Sequence, residues 1–151
     1  MSQQTSELVI RKSVTVSVPP EQAFRVFTEG IASWWPMHEH AVETDKAEAV
    51  VLEGQVGGRL YERTSEGVEH AWGVVTAWEP PDRVAFTWHP GRDEKTEQEI
   101  EVTFASEGTT TRVELCHAGW ERYGEKVAES MSHYDSGWTT VLGSFAEAAT
   151  G

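Results

Sequence analysis

The sequence predicts an α+β domain in which a curved antiparallel sheet wraps around a long C-terminal helix. Three observations predict it. An opening segment alternates apolar and polar residues with the two-residue period of a strand, and six further β-like runs follow, separated by tight-turn residues. The last segment then changes to helical spacing. Turns this short favour hairpins, which join antiparallel strands, over the long crossovers that parallel strands need.

Leu8 to Val18 puts Leu8, Ile10, Val14, Val16 and Val18 on one side and Val9, Arg11, Ser13, Thr15 and Ser17 on the other, with Lys12 the one misfit. Pro19-Pro20 stops this strand, and a proline in the first turn followed by Glu21 suits a helix start. Ala23, Phe24 and Phe27 give the helix an apolar stripe. Gly30 ends it before a second short helix or turn carrying Ile31, Trp34 and Trp35, and Pro36 closes the region. His38 to Glu43 reads as a loop. The strands are expected at Glu48–Leu52, Arg59–Thr64, Glu69–Trp78, Val84–His89, Glu97–Ala105 and Thr111–His117. Their punctuation is Gly57-Gly58, Ser65-Glu66-Gly67, Pro80-Pro81-Asp82, Pro90-Gly91 and Glu107-Gly108. Met131, Tyr134, Trp138, Val141 or Leu142, and Phe145 recur at helical spacing, which predicts the amphipathic C-terminal helix. No repeat or linker divides the chain, which reads as a single domain over residues 1–151 with its core at about 8–148.

Composition narrows the function classes. A net charge of −13, from 25 acidic and 12 basic residues, is a deficit of the cations that hold phosphate backbones, so no nucleic-acid partner is expected. The polar start and the lack of any run near the ~20 apolar residues of a membrane span argue for a cytoplasmic protein without membrane attachment. Cys116 is the only cysteine, so no intramolecular disulfide forms, and no activating partner or zinc spacing surrounds it. There is no Gly-x-Ser-x-Gly elbow and no glycine-rich phosphate loop; no cofactor is expected. Seven tryptophans are the positive signal, because each buries a large ring and needs an acceptor for its indole N–H. They imply a bulky core or an aromatic-lined cavity.

Several segments together resemble one superfamily. They are Val18-Pro19-Pro20-Glu21-Gln22-Ala23-Phe24, Trp34-Trp35-Pro36, Gly57-Gly58-Arg59-Leu60-Tyr61-Glu62-Arg63, Trp72-Gly73, Trp78-Glu79-Pro80-Pro81-Asp82-Arg83, Phe86-Thr87-Trp88, Val113 to Trp120, and Tyr134-Asp135-Ser136-Gly137-Trp138. In this order they resemble the SRPBCC (START-like) superfamily, and within it the branch named for activators of the heat-shock protein 90 ATPase. The resemblance spans about residues 8 to 148. It implies a helix-grip fold, similar to the birch-pollen-allergen architecture, with a deep cavity beneath the C-terminal helix. The superfamily hosts lipid carriers, hormone receptors, polyketide cyclases and co-chaperone domains, so the fold alone does not assign the activity. The co-chaperone members carry an additional N-terminal domain, whereas only Met1 to Glu7 precede the first predicted strand here.

Strand phase identifies the inward side chains. Val84, Phe86 and Trp88 share one face, as do Ile100, Val102 and Phe104, and Val113, Leu115 and His117. His117 is thus a polar residue on an apolar face, expected to bond a backbone carbonyl or Tyr134, to orient a ligand, or to act as a base. Glu62 falls in with Leu60 as an inward carboxyl, to be compensated by Arg63 or Arg83, or to hold a ligand group or serve catalysis at a raised pKa. Gly73 beside Trp72 would leave room in the cavity or permit a bulge. Tyr134 and Trp138 lie four apart on one helical face, and Gly137 between them would admit a close neighbour. Leu142 and Phe145 are assigned to core packing. His38 and His40 form a His-x-His pair, but two ligands do not make a metal site, and no metal is expected. Cys116 points away from His117, which disfavours a Cys–His dyad.

The expected activity is binding of a small hydrophobic or aromatic ligand. Trp35, Trp72, Phe86, Trp88, Val102, Tyr134 and Trp138 would form the walls, with Glu62 and His117 as polar contacts. The alternatives are a cyclase, dehydratase or hydrolase in which His117, Glu62 or Tyr134 does acid–base work, and an interaction module acting on a chaperone ATPase as monomer or homodimer. The residue pattern favours a binding protein over an enzyme.

Overall fold

A computed structural model provides the structure and describes residues 9–36, 46–88, 98–119 and 127–150. Alternation makes Ile10–Val16 a strand, β1. Pro19 then caps helix α1, Pro20–Thr28, from an extended conformation, with Pro20 at the first helical position, where its missing N–H has no helical partner to lose. Ala23, Phe24 and Phe27 bury the stripe that the sequence predicts. A single turn, α2, covers Ile31–Trp34. Six strands follow: β2 (Ala47–Leu52), β3 (Arg59–Thr64), β4 (Glu69–Glu79), β5 (Arg83–Trp88), β6 (Gln98–Glu107) and β7 (Thr110–Ala118). Helix α3 spans Val127–Thr150. The expected strands are all present, their ends displaced by at most two residues; His89 and Glu97 lie outside the described residues.

The seven strands form one antiparallel sheet in the order β1-β7-β6-β5-β4-β3-β2. Strands β2 to β7 are a meander, and β1 returns to pair with β7, Val14 opposite Val113 and Ile10 opposite His117. The hairpin tips at Gly67 and Gly108 take φ of 83° and 71°, a conformation that glycine enters without steric cost. The sheet curls around α3, which packs on β1, α1 and α2 in the helix-grip arrangement. Val141, Leu142, Phe145 and Ala149 supply its buried face. Among the described residues no helix is long and apolar enough to cross a membrane.

Two local features explain what alternation alone left odd. Lys12, the misfit in β1, reaches Asp135 of α3 at 3.2 Å, so an ion pair bridges strand and helix where the apolar face runs out. Both groups are partly solvated, and such pairs contribute about 1 kcal/mol at most. At β3–β4, Leu60 faces Gly73 but Tyr61 faces Ala71, which leaves Trp72 as the extra residue of a bulge. Trp72 and Gly73 are consequently both buried, whereas Ala71 and Val74 are exposed. Gly73 does not leave room for a ligand: a Cβ there would lie 1.8 Å from the Thr87 carbonyl oxygen, so the backbone of β5 occupies that space.

Since that contact is backbone against Cβ and has no flexible end to yield, Gly73→Ala is expected to destabilise the protein by about 3 kcal/mol or more. Urea unfolding measures it; a loss under about 1 kcal/mol would mean the bulge can open.

Candidate functional site

The interior between sheet and helix divides into two aromatic groups. Around α1, Phe27 lies 5.2 Å from both Trp34 and Phe145 and 5.9 Å from Phe104 between ring centroids, and Phe24 lies 5.2 Å from Phe104. This end is ordinary core. Phe145 and Leu142 belong to the buried core as expected, and the Trp34 indole donates to the Val26 carbonyl at 2.8 Å. The hydroxyl of Ser144 donates to the Trp34 carbonyl, which ties α3 to α2.

Trp35 begins the second group. Its ring lies 5.0 Å from Trp72, 6.0 Å from Trp138 and 6.1 Å from Trp88. Trp88 in turn lies 5.3 Å from Trp138, 5.5 Å from Trp72 and 6.5 Å from Tyr134. Five residues, Trp35 just after α2 and the others from β4, β5 and α3, thus meet at one end of the grip. Phe86, 6.1 Å from Trp88, extends the wall along β5, and Val102 is fully buried in β6 with Val84 and Leu115 as its cross-strand partners.

Polar side chains are buried in the same place. His117 has no solvent exposure, as the strand phase predicts, but its bonding differs from expectation. The Trp138 indole donates to His117 Nδ1 at 2.9 Å, and His117 Nε2 lies 2.8 Å from Gln98 Oε1. Tyr134 meets the imidazole with its ring, 5.2 Å away and near perpendicular. An Nδ1 that accepts an indole N–H carries no proton, so the proton sits on Nε2 and is donated to the amide oxygen of Gln98. The result is a chain of side chains from α3 through β7 to β6. Burial pushes the His117 pKa down to about 3, which keeps the ring neutral at physiological pH. A base needs an available lone pair, and both ring nitrogens are engaged here; the geometry favours an orienting role over proton abstraction.

Glu62 is fully buried as predicted, yet neither expected arginine compensates it. Arg63 is on the opposite, exposed face, and Arg83 bonds Glu101 and Glu79. The indole of Trp72 donates to Glu62 Oε1 at 2.8 Å instead, a pairing that the bulge makes by turning Trp72 inward. Gln98 is the residue the sequence reading missed. It is fully buried and pairs with Trp88 across β5–β6. Its signal was the same alternation: Ile100, Val102 and Phe104 extended back by one step put residue 98 inside.

The remaining candidates fall elsewhere. Cys116 faces away from His117, its thiol accepting from Arg11 at 3.1 Å, and burial raises its pKa, which makes it a poor nucleophile. His38 and His40 lie outside the described residues. Among the described residues no three His, Cys, Asp or Glu side chains cluster as metal ligands would. A separate surface depression of about 290 Å³ lies between α1 and the β4–β5 turn, bordered by Phe24, Trp78 and Pro81. Neither Glu62 nor His117 borders it.

Residues 17–150 match the family model described as Activator of Hsp90 ATPase homolog 1-like protein. No curated protein matches. Among solved structures, the anthrahydroquino-γ-pyrone synthase Txn09, determined as a complex, is 37% identical, with a TM-score of 0.56 over 84% of this chain and 86% of that one. The self-sacrificing resistance protein CalC from Micromonospora echinospora is 32% identical, with a TM-score of 0.68 over 93% of both chains. The Aha1 dimer from Colwellia psychrerythraea shares the fold at 19% identity, with a TM-score of 0.69 over 93% of this chain and 95% of that one.

Removing the helix's anchor should be costly. Trp138→Ala is expected to lose about 3–5 kcal/mol, and Trp138→Phe, which keeps a ring but removes the hydrogen bond to His117 Nδ1, about 1–3 kcal/mol; denaturant unfolding separates them. The His117 pKa also sets a pH dependence. The folded value of about 3 lies below the ordinary 6.5, so between these values the unfolded chain binds the extra proton and acid favours unfolding. The contribution is intact above pH 6.5 and declines by up to about 1.4 kcal/mol per pH unit as pH falls toward 3. Comparison of native and His117→Gln unfolding free energies at pH 7 and pH 5 isolates it: the native protein should lose more on acidification, and equal losses would contradict the buried neutral imidazole.

Proposed function

The chain belongs to the family of Activator of Hsp90 ATPase homolog 1-like proteins, and from that membership we propose that it binds a small apolar or aromatic molecule between the sheet and α3. The observation that carries this reading is the convergence of Trp35, Trp72, Trp88 and Trp138 on the end of the interior that also buries Glu62, Gln98 and His117. A core serving stability alone is better made of aliphatic groups, because each buried polar side chain has to recover its lost hydration. Among the described residues, the buried carboxyl, amide and imidazole groups are those of Glu62, Gln98 and His117. Tyr134, half-buried over His117, stands where α3 meets this polar group.

A second reading draws on the 37% identity with a pyrone synthase. On this scaffold ring closure of a carbonyl-rich aromatic precursor needs mainly enclosure, orientation and one proton-transfer group. Glu62 suits that role better than His117, since a carboxyl has two acceptor oxygens, whereas both imidazole nitrogens are engaged by Trp138 and Gln98.

The tryptophans that form the walls also report on them. Titration of intrinsic fluorescence with fatty acids, flavonoids, polyketide-like aromatics and sterols is expected to give saturable quenching or a blue shift with an aromatic member. Trp88→Leu and Trp138→Leu should weaken it at least about tenfold. No response across the panel would remove the binding reading. Turnover of a bound aromatic that disappears in Glu62→Gln but persists in His117→Gln would establish the catalytic one.

A further inference from the structure

Indole N–H groups in this interior are paired with care. Trp34 donates to a carbonyl, Trp72 to Glu62 and Trp138 to His117. Trp88 is the exception: it is 3% exposed, and its Nε1 has no acceptor among the described residues. The unpaired donor belongs to a ring enclosed by aromatic neighbours of the candidate site, Trp35, Trp72, Phe86, Tyr134 and Trp138 among them. A buried donor left unsatisfied is unfavourable, and native structures keep few of them without a use.

From this we propose that Trp88 Nε1 is the anchor for the ligand, donating a hydrogen bond to a neutral carbonyl oxygen carried by a planar aromatic molecule. The inference rests on the binding reading above and adds the chemical class. Indole nitrogen is a donor only, so its complement is an acceptor, which excludes recognition through an ammonium or a lone N–H. The surrounding walls are aromatic rings, whose faces are electron-rich, and Glu62 hangs from the adjoining Trp72. An anionic oxygen entering there would lose its hydration and meet negative potential, whereas a conjugated carbonyl is uncharged and its flat ring stacks on the same walls. The class is therefore quinone-, xanthone- or flavone-like, and fatty acids and aromatic carboxylates are selected against.

Xanthone and xanthene test this with the full-length chain, since they share a tricyclic skeleton and differ by the carbonyl; xanthone-2-carboxylate adds a charge. Xanthone is expected to bind about tenfold more tightly than xanthene, and the carboxylate more weakly than xanthone. The Trp88 indole N–H resonance, assigned by its disappearance in Trp88→Phe, should lie further downfield with saturating xanthone than with saturating xanthene, since both rings shield it alike and only the carbonyl accepts its hydrogen bond. Trp88→Phe should also bring the two affinities together. Should that variant fail to fold, the ligand pair on the native protein, together with the response of its indole resonances, decides. Equal affinity for xanthone and xanthene would overturn the anchor while leaving interior binding intact. Binding of neither would overturn both, and a Trp88 resonance that contacts only water and ignores bound xanthone would assign the donor to solvent and overturn the anchor.

Discussion

An indole is a large apolar plate with one obligatory donor at its edge, and burying several of them against one sheet forces acceptors into the same interior. That constraint organises this protein. Trp72 turns inward where β4 bulges, and its N–H is met by the carboxyl of Glu62 on the inner face of β3. Trp138 fixes α3 by donating to His117, and His117, kept neutral by its burial, passes the bond on to Gln98 through its second nitrogen. The polar residues of the interior are thus explained as much by the tryptophans as by any chemistry they perform.

The two ends of the grip divide the work. At the α1 end phenylalanines pack edge to face with Trp34, and hydrogen bonds run from side chain to backbone, as in Trp34 to Val26 and Ser144 to Trp34. At the other end hydrogen bonds run from side chain to side chain and connect β3 with β4 and α3 with β7 and β6. Side-chain networks of this kind constrain geometry more than they add stability, because much of each bond's strength offsets desolvation. A rigid aromatic wall with polar groups at fixed positions is what recognition of a flat ligand requires.

Most of the framework was legible in the sequence for reasons that are local. Period-two alternation placed Val84, Phe86, Trp88, Val113, Leu115 and His117 correctly, and Pro19-Pro20 marked the start of α1, because both signals act within a few residues. Glu62 was read as inward by the same rule. Its partner was not, since an arginine is the natural compensation for a carboxyl, and only the three-dimensional bulge brings an indole there. The bonds of His117 were equally out of reach: they depend on Ile100 standing opposite His117 and on where α3 crosses the sheet, neither of which a spacing encodes. Gln98 was missed although the expected strand, Glu97–Ala105, includes it, because an amide on an otherwise apolar face gives no chemical signal until its partner is known.

The charge distribution sharpens the functional argument. The chain carries a net charge of −13, yet among the described residues the only buried acidic side chain is Glu62. The other acidic groups among the described residues therefore act on the outside, where the sheet's outer face also seats Arg83 between Glu79 and Glu101 and Arg59 between Glu53 and Glu69. On the proposed binding reading, discrimination inside falls to ring faces and single hydrogen bonds. A site of this composition distinguishes ligands by shape and by the position of neutral dipoles, and the strongest selection it can make is against a donor or acceptor left without its complement.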